Sequence, residues 1–244
     1  MPRISENNDW HQTLSPIKSQ TLLADQVYHN LSHAILTRQI KPGQHLVEQP
    51  LADQLSVSRI SVREAIRRLA QDGLVEIIPS RGSFVVNLTA EDVREIYQLR
   101  SALEIIALKE IMTKQAHPNF AALDQIITKM IALEQKEDRL QGATLDNQFH
   151  RTLMGLSGLE RTVRIWEQMS TQITMVIYTV SSRYPSYQGL VERHAKMVHL
   201  IRSGDYDKAR EYLQDHIQEG AKLLLDAMLE YNEENEEEEN KNED

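Results

Sequence analysis

The chain has 244 residues, 41% of them hydrophobic and 26% charged, enough for one large or two modest domains with a real core. The net charge is −9, yet Glu230 to Asp244 alone hold nine acidic residues and one lysine, so the remaining chain is close to neutral and a local basic face for nucleic acid is not excluded. There is no cysteine, which rules out disulfides, thiolate zinc sites, iron–sulfur clusters and cysteine nucleophiles and fits a reducing compartment. Residues 1–20 lack the apolar stretch of a signal peptide, and no run of ~20 apolar residues is present to span a membrane. A soluble cytoplasmic protein is expected.

Residues 1–19 are polar and aperiodic, as in a flexible N-terminal arm. Leu23, Val27, Leu31 and Ile35 then recur every four residues and predict a first helix, ended by Pro42-Gly43. A short second helix fits Gln49 to Leu55. A third fits Ser61 to Gln71, with Val62, Ala65, Ile66 and Leu69 on one face. Ser61-x-x-Glu64 has the capping-box pattern at its start, and Gly73 suits its end. Leu74 to Ile78 and Ser83 to Val86 are β-prone and separated by Pro79-Ser80-Arg81-Gly82, a hairpin signature. Residues 20–87 thus read as three helices and a hairpin.

From Thr89 to Tyr231 the pattern is helical throughout. Thr89-x-x-Asp92 can cap a helix running towards Lys114. Further helices fit Phe120–Leu140, Leu145–Leu156, Leu159–Ser182, Tyr187–Arg202 and Tyr206–Tyr231. The breakers are His117-Pro118-Asn119, Gly142, Gly158, Pro185 and Gly204-Asp205. Six helices with short connections imply an antiparallel bundle over residues 88–231. Residues 232–244 are too acidic and too poor in apolar side chains to pack, and a disordered acidic tail is expected.

Ser58 to Arg68 carries four arginines against one glutamate. Arg63 and Arg67 share the face opposite the apolar stripe, and Arg59 lies at the helix start. The major groove admits one α-helix whose first residues meet base edges, and arginine pairs bidentately with guanine or phosphate. The competing reading is a solvated helix face, since charged stretches usually are.

The run Pro42-Gly43, Leu51-Ala52, Val57-Ser58-Arg59-x-x-Val62-Arg63-Glu64-Ala65-x-Arg67-x-Leu69, Asp72-Gly73-Leu74-Val75 and Pro79-x-Arg81-Gly82 resembles the winged helix-turn-helix of the GntR family of bacterial transcription regulators. The resemblance implies a DNA-binding unit over residues 20–87, with Arg59, Ser61, Arg63, Arg67, Arg81 and Gly82 at the DNA. Two departures are local: Ile60-Ser61 stands where members often have Thr-Pro, and Ser56 where glycine is usual.

Among nine histidines, three fall on apolar stripes. His150 lies four residues after Asp146 on one helix face. His194 belongs to the stripe Leu190, His194, Met197, Ile201, and His216 to Ala209, Leu213, His216, Gly220. His199, five residues beyond His194, points ~140° away. A single buried histidine is usually a satisfied core residue. Three with a carboxylate have the chemistry of a divalent transition-metal site for Zn, Ni, Fe or Mn, with room for water or a ligand.

Arg100 … Leu103-Glu104, Asp146-x-x-x-His150, His194-x6-Ile201-x-x-Gly204-Asp205-x-x-x-Ala209-x6-His216-Ile217 resemble the all-helical ligand-sensing (FCD) domain of the FadR-type branch of the same family. Many members of that branch hold a metal with an aspartate and three histidines. The resemblance therefore implies a divalent metal on Asp146, His150, His194 and His216, and a small organic acid held by Arg100, with Tyr97 and Asn147 lining the pocket. The alternative for Arg100 is a plain i,i+4 ion pair with Glu104.

The expected architecture is mainly α: an N-terminal winged helix-turn-helix of three helices plus a β-hairpin, then an all-α antiparallel helical bundle. The expected function is a transcription regulator of the repressor type, not an enzyme. It would act as a homodimer on a palindromic DNA operator and respond to a small carboxylic-acid effector. The alternatives are a metal-dependent hydrolase-like enzyme, for which no His-Glu-x-x-His motif is present, and an interaction scaffold with a structural metal.

Overall fold

The computed structural model describes residues 21–113, 119–133, 139–180 and 189–242, with 21–22, 139–140 and 233–242 as backbone only. The arm over residues 1–19 and the breakers His117-Pro118 and Pro185 lie outside these. The elements are α1 (Thr21–Leu36), β1 (His45–Leu46), α2 (Glu48–Leu55), α3 (Arg59–Gln71), β2 (Val75–Ile78), β3 (Gly82–Val85), α4 (Ala90–Thr113), α5 (Ala121–Leu133), α6 (Arg139–Leu156), α7 (Glu160–Thr179), α8 (Leu190–Ser203) and α9 (Tyr206–Asn242). The chain is mainly α, a winged helix-turn-helix followed by a helical domain.

The winged unit has its own core. Val27, Leu31 and Ile35 of α1 meet Val62, Ala65, Ile66 and Leu69 of α3, closed by Leu74, Val75 and Val85 from the hairpin. Three antiparallel strands stand in the order β1-β3-β2. The strand β1 was not anticipated: two residues are too short to show a period, and they pair with Phe84 and Ser83 of β3. The hairpin turn has Pro79 at its second position and Ser80 in the left-handed region at its third (φ 62°), with Arg81 N–H donating to Ile78 C=O at 3.0 Å, a type II arrangement.

Helix α3 starts earlier than the Ser61-x-x-Glu64 pattern suggests. Ser58 is the N-cap, its Oγ accepting from the Ser61 N–H at 3.1 Å, so Ser61 sits inside the first turn. The cap at Thr89 does form: Thr89 N–H donates to Asp92 Oδ2 at 2.8 Å and Asp92 N–H to Thr89 Oγ1 at 3.2 Å. Ser56, at the α2 C-cap, adopts a left-handed conformation (φ 54°), the backbone state in which glycine is least strained.

The bundle core draws on α4 to α9, with Leu108, Leu123, Met130, Phe149, Leu153, Leu213 and Leu224 at its centre. Gly142 does not break a helix. It lies buried within α6, which begins at Arg139; packing outweighs the modest helix penalty of glycine. Helix α9 runs to Asn242, past the Tyr231 boundary expected for an unstructured tail. Glutamate is a good helix former, so the backbone continues even though the sequence offers no apolar stripe there. No helix among the described residues is long and apolar enough to cross a membrane.

The two units touch through α7. Met175 is buried in the winged unit's core, Gln168 Nε2 donates to Gln71 C=O, and the side chain of Gln172 packs against Gly73, 3.1 Å from where a Cβ would stand. Arg38 at the end of α1 meets the Tyr231 hydroxyl and ring on α9.

Candidate functional site

Two sites emerge from this frame. The first is the outer face of α3. Its buried stripe turns Arg59, Arg63 and Arg67 to solvent, with side chains 56%, 48% and 64% exposed. Glu48, on the first turn of α2, gathers two of them: Arg63 donates through Nε at 2.7 Å and Nη2 at 2.6 Å, and Arg59 through Nη2 at 3.2 Å. The bidentate contact with Arg63 is the main reason the Glu48 carboxyl is held below its ordinary range. The Arg63 fork thus grips a carboxylate with the same bidentate geometry that phosphate or guanine would use. Arg81 is exposed at the hairpin tip, beside the Phe84 ring. Gly82 follows it at φ 115°, a backbone conformation that strains any residue with a Cβ.

One expected DNA contact is buried. Ser61 is 3% exposed, its hydroxyl 2.9 Å from Ser58 Oγ and its N–H taken by the same oxygen. It stabilises the helix start.

The second site lies inside the bundle. Asp146 and His150 come from α6, His194 from α8 and His216 from α9, and one donor atom from each lies within 4.8 Å of the others. His150 and His194 are buried, His216 and Asp146 partly so. His199, by contrast, is exposed. Hydrogen bonds to groups that only accept fix the tautomers. His150 Nδ1–H donates to Glu104 Oε2 at 2.7 Å, and His194 Nδ1–H donates to Leu190 C=O at 2.8 Å. Both rings therefore turn an Nε2 lone pair inward. His194 Nε2 then stands 3.2 Å from Asp146 Oδ1 without making a hydrogen bond, and His216 Nδ1 is buried with no partner. The His150 and His216 Nε2 atoms are 3.0 Å apart. Two nitrogens bound to one ion at ~2.1 Å are separated by ~3.0–3.4 Å at octahedral to tetrahedral angles. Converging imidazole nitrogens beside a carboxylate suit a divalent cation.

Burial raises the Asp146 carboxyl, but the contact with His194 and the charges of His150, His194 and His216 more than offset this and hold Asp146 well below the usual carboxylate range; the Glu104 carboxylate likewise raises His150 in spite of its burial. Burial, then the neighbouring His150 and His194, push His216 well down, so it is neutral and able to ligate at neutral pH.

Sequence reasoning missed what supports these ligands. Glu104 on α4 is fully buried and accepts from His150, from Trp166 Nε1 at 2.7 Å and from Arg100 Nη2 at 3.2 Å. Burial raises its pKa, but His150 and Arg100 outweigh this and bring it to about 2. Its Arg100–Glu104 spacing was visible as an i,i+4 pair; that both are buried beside His150 was not.

Arg100, Tyr97 and Asn147 line a partly open cavity of about 50 Å³ with Asp146, His150 and His216. Arg100 is 5% exposed and lies over the Tyr97 and Trp166 rings at 5.2 and 5.4 Å. The Asn147 amide is engaged with α7: Oδ1 accepts from Ser170 Oγ and Nδ2 donates to Thr174 Oγ1, both at 2.7 Å. Arg193, next to His194, is a second cation on the cavity wall that sequence reasoning passed over. It could have been found as the neighbour of a predicted ligand.

A winged helix-turn-helix with outward arginines, joined to a helical domain, defines a DNA-binding transcription regulator rather than an enzyme. The comparisons specify which kind. Residues 23–85 match the gntR family of bacterial regulatory proteins and residues 95–219 match the FCD domain; the chain belongs to the GntR family, with an FCD domain. It is 35% identical over 130 residues to an HTH-type transcriptional regulator of Agrobacterium vitis (52% of this chain, 76% of that one). It is 27% identical over 197 residues to the HTH-type transcriptional repressor RspR of Escherichia coli (80% and 85%). Among solved structures it shares its fold with a GntR transcriptional regulator from Rhodococcus sp. RHA1, at TM-score 0.70 and 24% identity over 84% of this chain and 98% of that one.

Proposed function

We propose that this regulator is a repressor whose operator binding is set by a small carboxylic acid, held beside a divalent metal in the helical domain. The observation that carries this reading is the meeting of Asp146, His150, His194 and His216, with buried nitrogens lacking partners, at a cavity that Asp146, His150 and His216 line together with Arg100. Asp146, His150, His194 and His216 would hold Zn, Ni, Fe or Mn, all compatible with three imidazoles and a carboxylate. Such an ion supplies positive charge and open coordination positions for ligand oxygens.

Charge accounting favours an acid. With the histidines neutral, Arg100 and Glu104 cancel, Arg193 and Glu219 cancel, and Asp146 leaves one net negative charge. A divalent ion reverses this to one positive charge in a buried place, which a monocarboxylate neutralises. Arg100 is fixed between two rings and Glu104, so its remaining N–H groups are oriented for a carboxylate, and Tyr97 and Asn147 close the cavity. At the other end, Arg59, Arg63, Arg67 and Arg81-Gly82 meet DNA. A homodimer would set two α3 helices on a palindromic site.

The test has two parts. Metal content of purified protein is measured by mass spectrometry, for the wild type and for H150A/H194A. Affinity for DNA fragments selected from a random pool is then measured with and without a panel of small mono- and dicarboxylates. The expected outcome is about one ion per chain, lost in the variant, and one class of acid that weakens DNA binding in the wild type only. A protein that binds its sites but responds to no acid, or that holds no ion, overturns the reading.

A further inference from the structure

Ile60 is the second residue of α3 and is 62% exposed, the highest figure among the described large apolar side chains. Nothing in the winged unit needs it there. The apolar stripe that seats α3 on the core is Val62, Ala65, Ile66 and Leu69, and Ile60 lies ~200° from Val62, on the opposite side of the helix. Ile60, Arg63 and Arg67 are spaced i, i+3, i+7 and form one outward row, with Arg59 immediately before it. So a bare branched hydrocarbon stands at the leading end of the helix, flanked by the two guanidinium groups that Glu48 gathers.

Chemistry narrows what such a side chain can meet. Phosphates offer it nothing, and the edges of guanine, cytosine and adenine present only donors and acceptors in the major groove. The C5-methyl of thymine is the one apolar feature there. The first residues of a groove-entering helix are the ones that approach base edges. We propose that Ile60 packs against a thymine methyl in each operator half-site and so requires a thymine at the position beside those contacted by Arg59 and Arg63. This rests on the family's DNA-binding role and on α3 entering the major groove. It is independent of metal and acid.

The test uses full-length protein and its sites selected from random DNA. Wild-type affinity for the selected duplex is measured first. Each thymine is then replaced in turn by deoxyuridine, which keeps every hydrogen bond and removes only the methyl. Burial of one methyl corresponds to about four-fold in affinity, and about fifteen-fold when both half-sites of a symmetric site are changed together. One thymine per half-site should show this loss. I60A should bind the thymine and deoxyuridine duplexes equally and should select sites with that column relaxed, whereas I60V should keep most of the preference. Ile60 is exposed, so neither variant should change the melting temperature. If the wild type binds its duplex tightly but no deoxyuridine weakens it, or if I60A keeps the same sensitivity, the proposal about Ile60 fails while DNA recognition by α3 stands. If the wild type selects no sequence, the groove-entering role of α3 fails with it.

Discussion

Replacing Glu104 by glutamine tests the idea that this buried carboxylate sets the metal-binding state of His150. Glu104 is fully buried and accepts from three directions: His150 Nδ1 at 2.7 Å, Trp166 Nε1 at 2.7 Å and Arg100 Nη2 at 3.2 Å. A glutamine fits the same volume and can keep its oxygen towards Trp166 and Arg100. Its NH2 then faces His150 Nδ1 and drives that proton to Nε2, the atom that must offer a lone pair. Loss of such a supporting contact weakens metal binding by about 10–100-fold, or ~1.4–2.7 kcal/mol. Zinc affinity by chelator competition would show it. Stability changes separately: Arg100 stays buried without its counter-charge, a loss of ~3 kcal/mol at the low end of the range for broken buried pairs, which lowers the melting temperature by ~6–12 °C in a chain of this size. The pH dependence has a definite sign. Burial pushes the Glu104 carboxyl up, but His150 and Arg100 pull it to about 2 against an ordinary 4.5. A lowered folded value gives stability that is present above the ordinary value and lost as the pH falls through the folded one. Metal-free wild type should therefore lose stability on acidification across that window, and E104Q should lose less. Zinc affinity of E104Q within about two-fold of the wild type would refute the argument from the His150 tautomer.

Two further predictions concern the DNA end and its connection to the bundle. R63A should weaken binding to selected sites and lower the salt slope of binding by about one if the contact is to phosphate, whereas S61A, altering only a buried hydroxyl, should leave DNA affinity unchanged and cost ~1 kcal/mol of stability; fluorescence anisotropy at several salt concentrations separates the two, and equal losses would restore Ser61 to the interface. Q168A/Q172A removes two side chains of α7 that touch the winged unit; metal content and basal DNA affinity should stay near wild type while the acid's effect on DNA binding, in a range of about 5–150-fold for allosteric couplings, shrinks several-fold. An undiminished response would place the coupling elsewhere.

Much of this molecule was legible in the sequence because it rests on local periodicity. The apolar stripes place α1, α3, α8 and the start of α9, and the last two carry His194 and His216 inward. What was not legible depends on meetings between distant segments. Glu104 looks like half of a surface ion pair until α6 and α7 bring His150 and Trp166 to it. The two-residue β1 exists only because β3 is beside it. The start of α3 was misplaced because Ser58 and Ser61 both offer capping hydroxyls three residues before a possible partner; burial of Ser61 decides between them. The tail's charge argued for disorder, but charge speaks against packing rather than against helix, and α9 continues through it.

These particulars make α7 the physical link between the two sites. Ser170 and Thr174 hold the Asn147 amide on one face. Gln168, Gln172 and Met175, spaced i, i+4, i+7 and ~200° round the helix from Ser170, face the winged unit. Asn147 follows the metal-ligand candidate Asp146 directly and lines the cavity. An acid that pulls on this stretch of α6 therefore acts on α7 through two short hydrogen bonds. Close-packed interiors do not absorb such a displacement locally, and Met175 is already inside the core that seats α3. On the proposed function, the acid needs only to bind better where α7 is displaced than where it is not, since differential affinity alone shifts such an equilibrium. The Q168A/Q172A variant cuts this link on the side away from the site, so it separates transmission from binding.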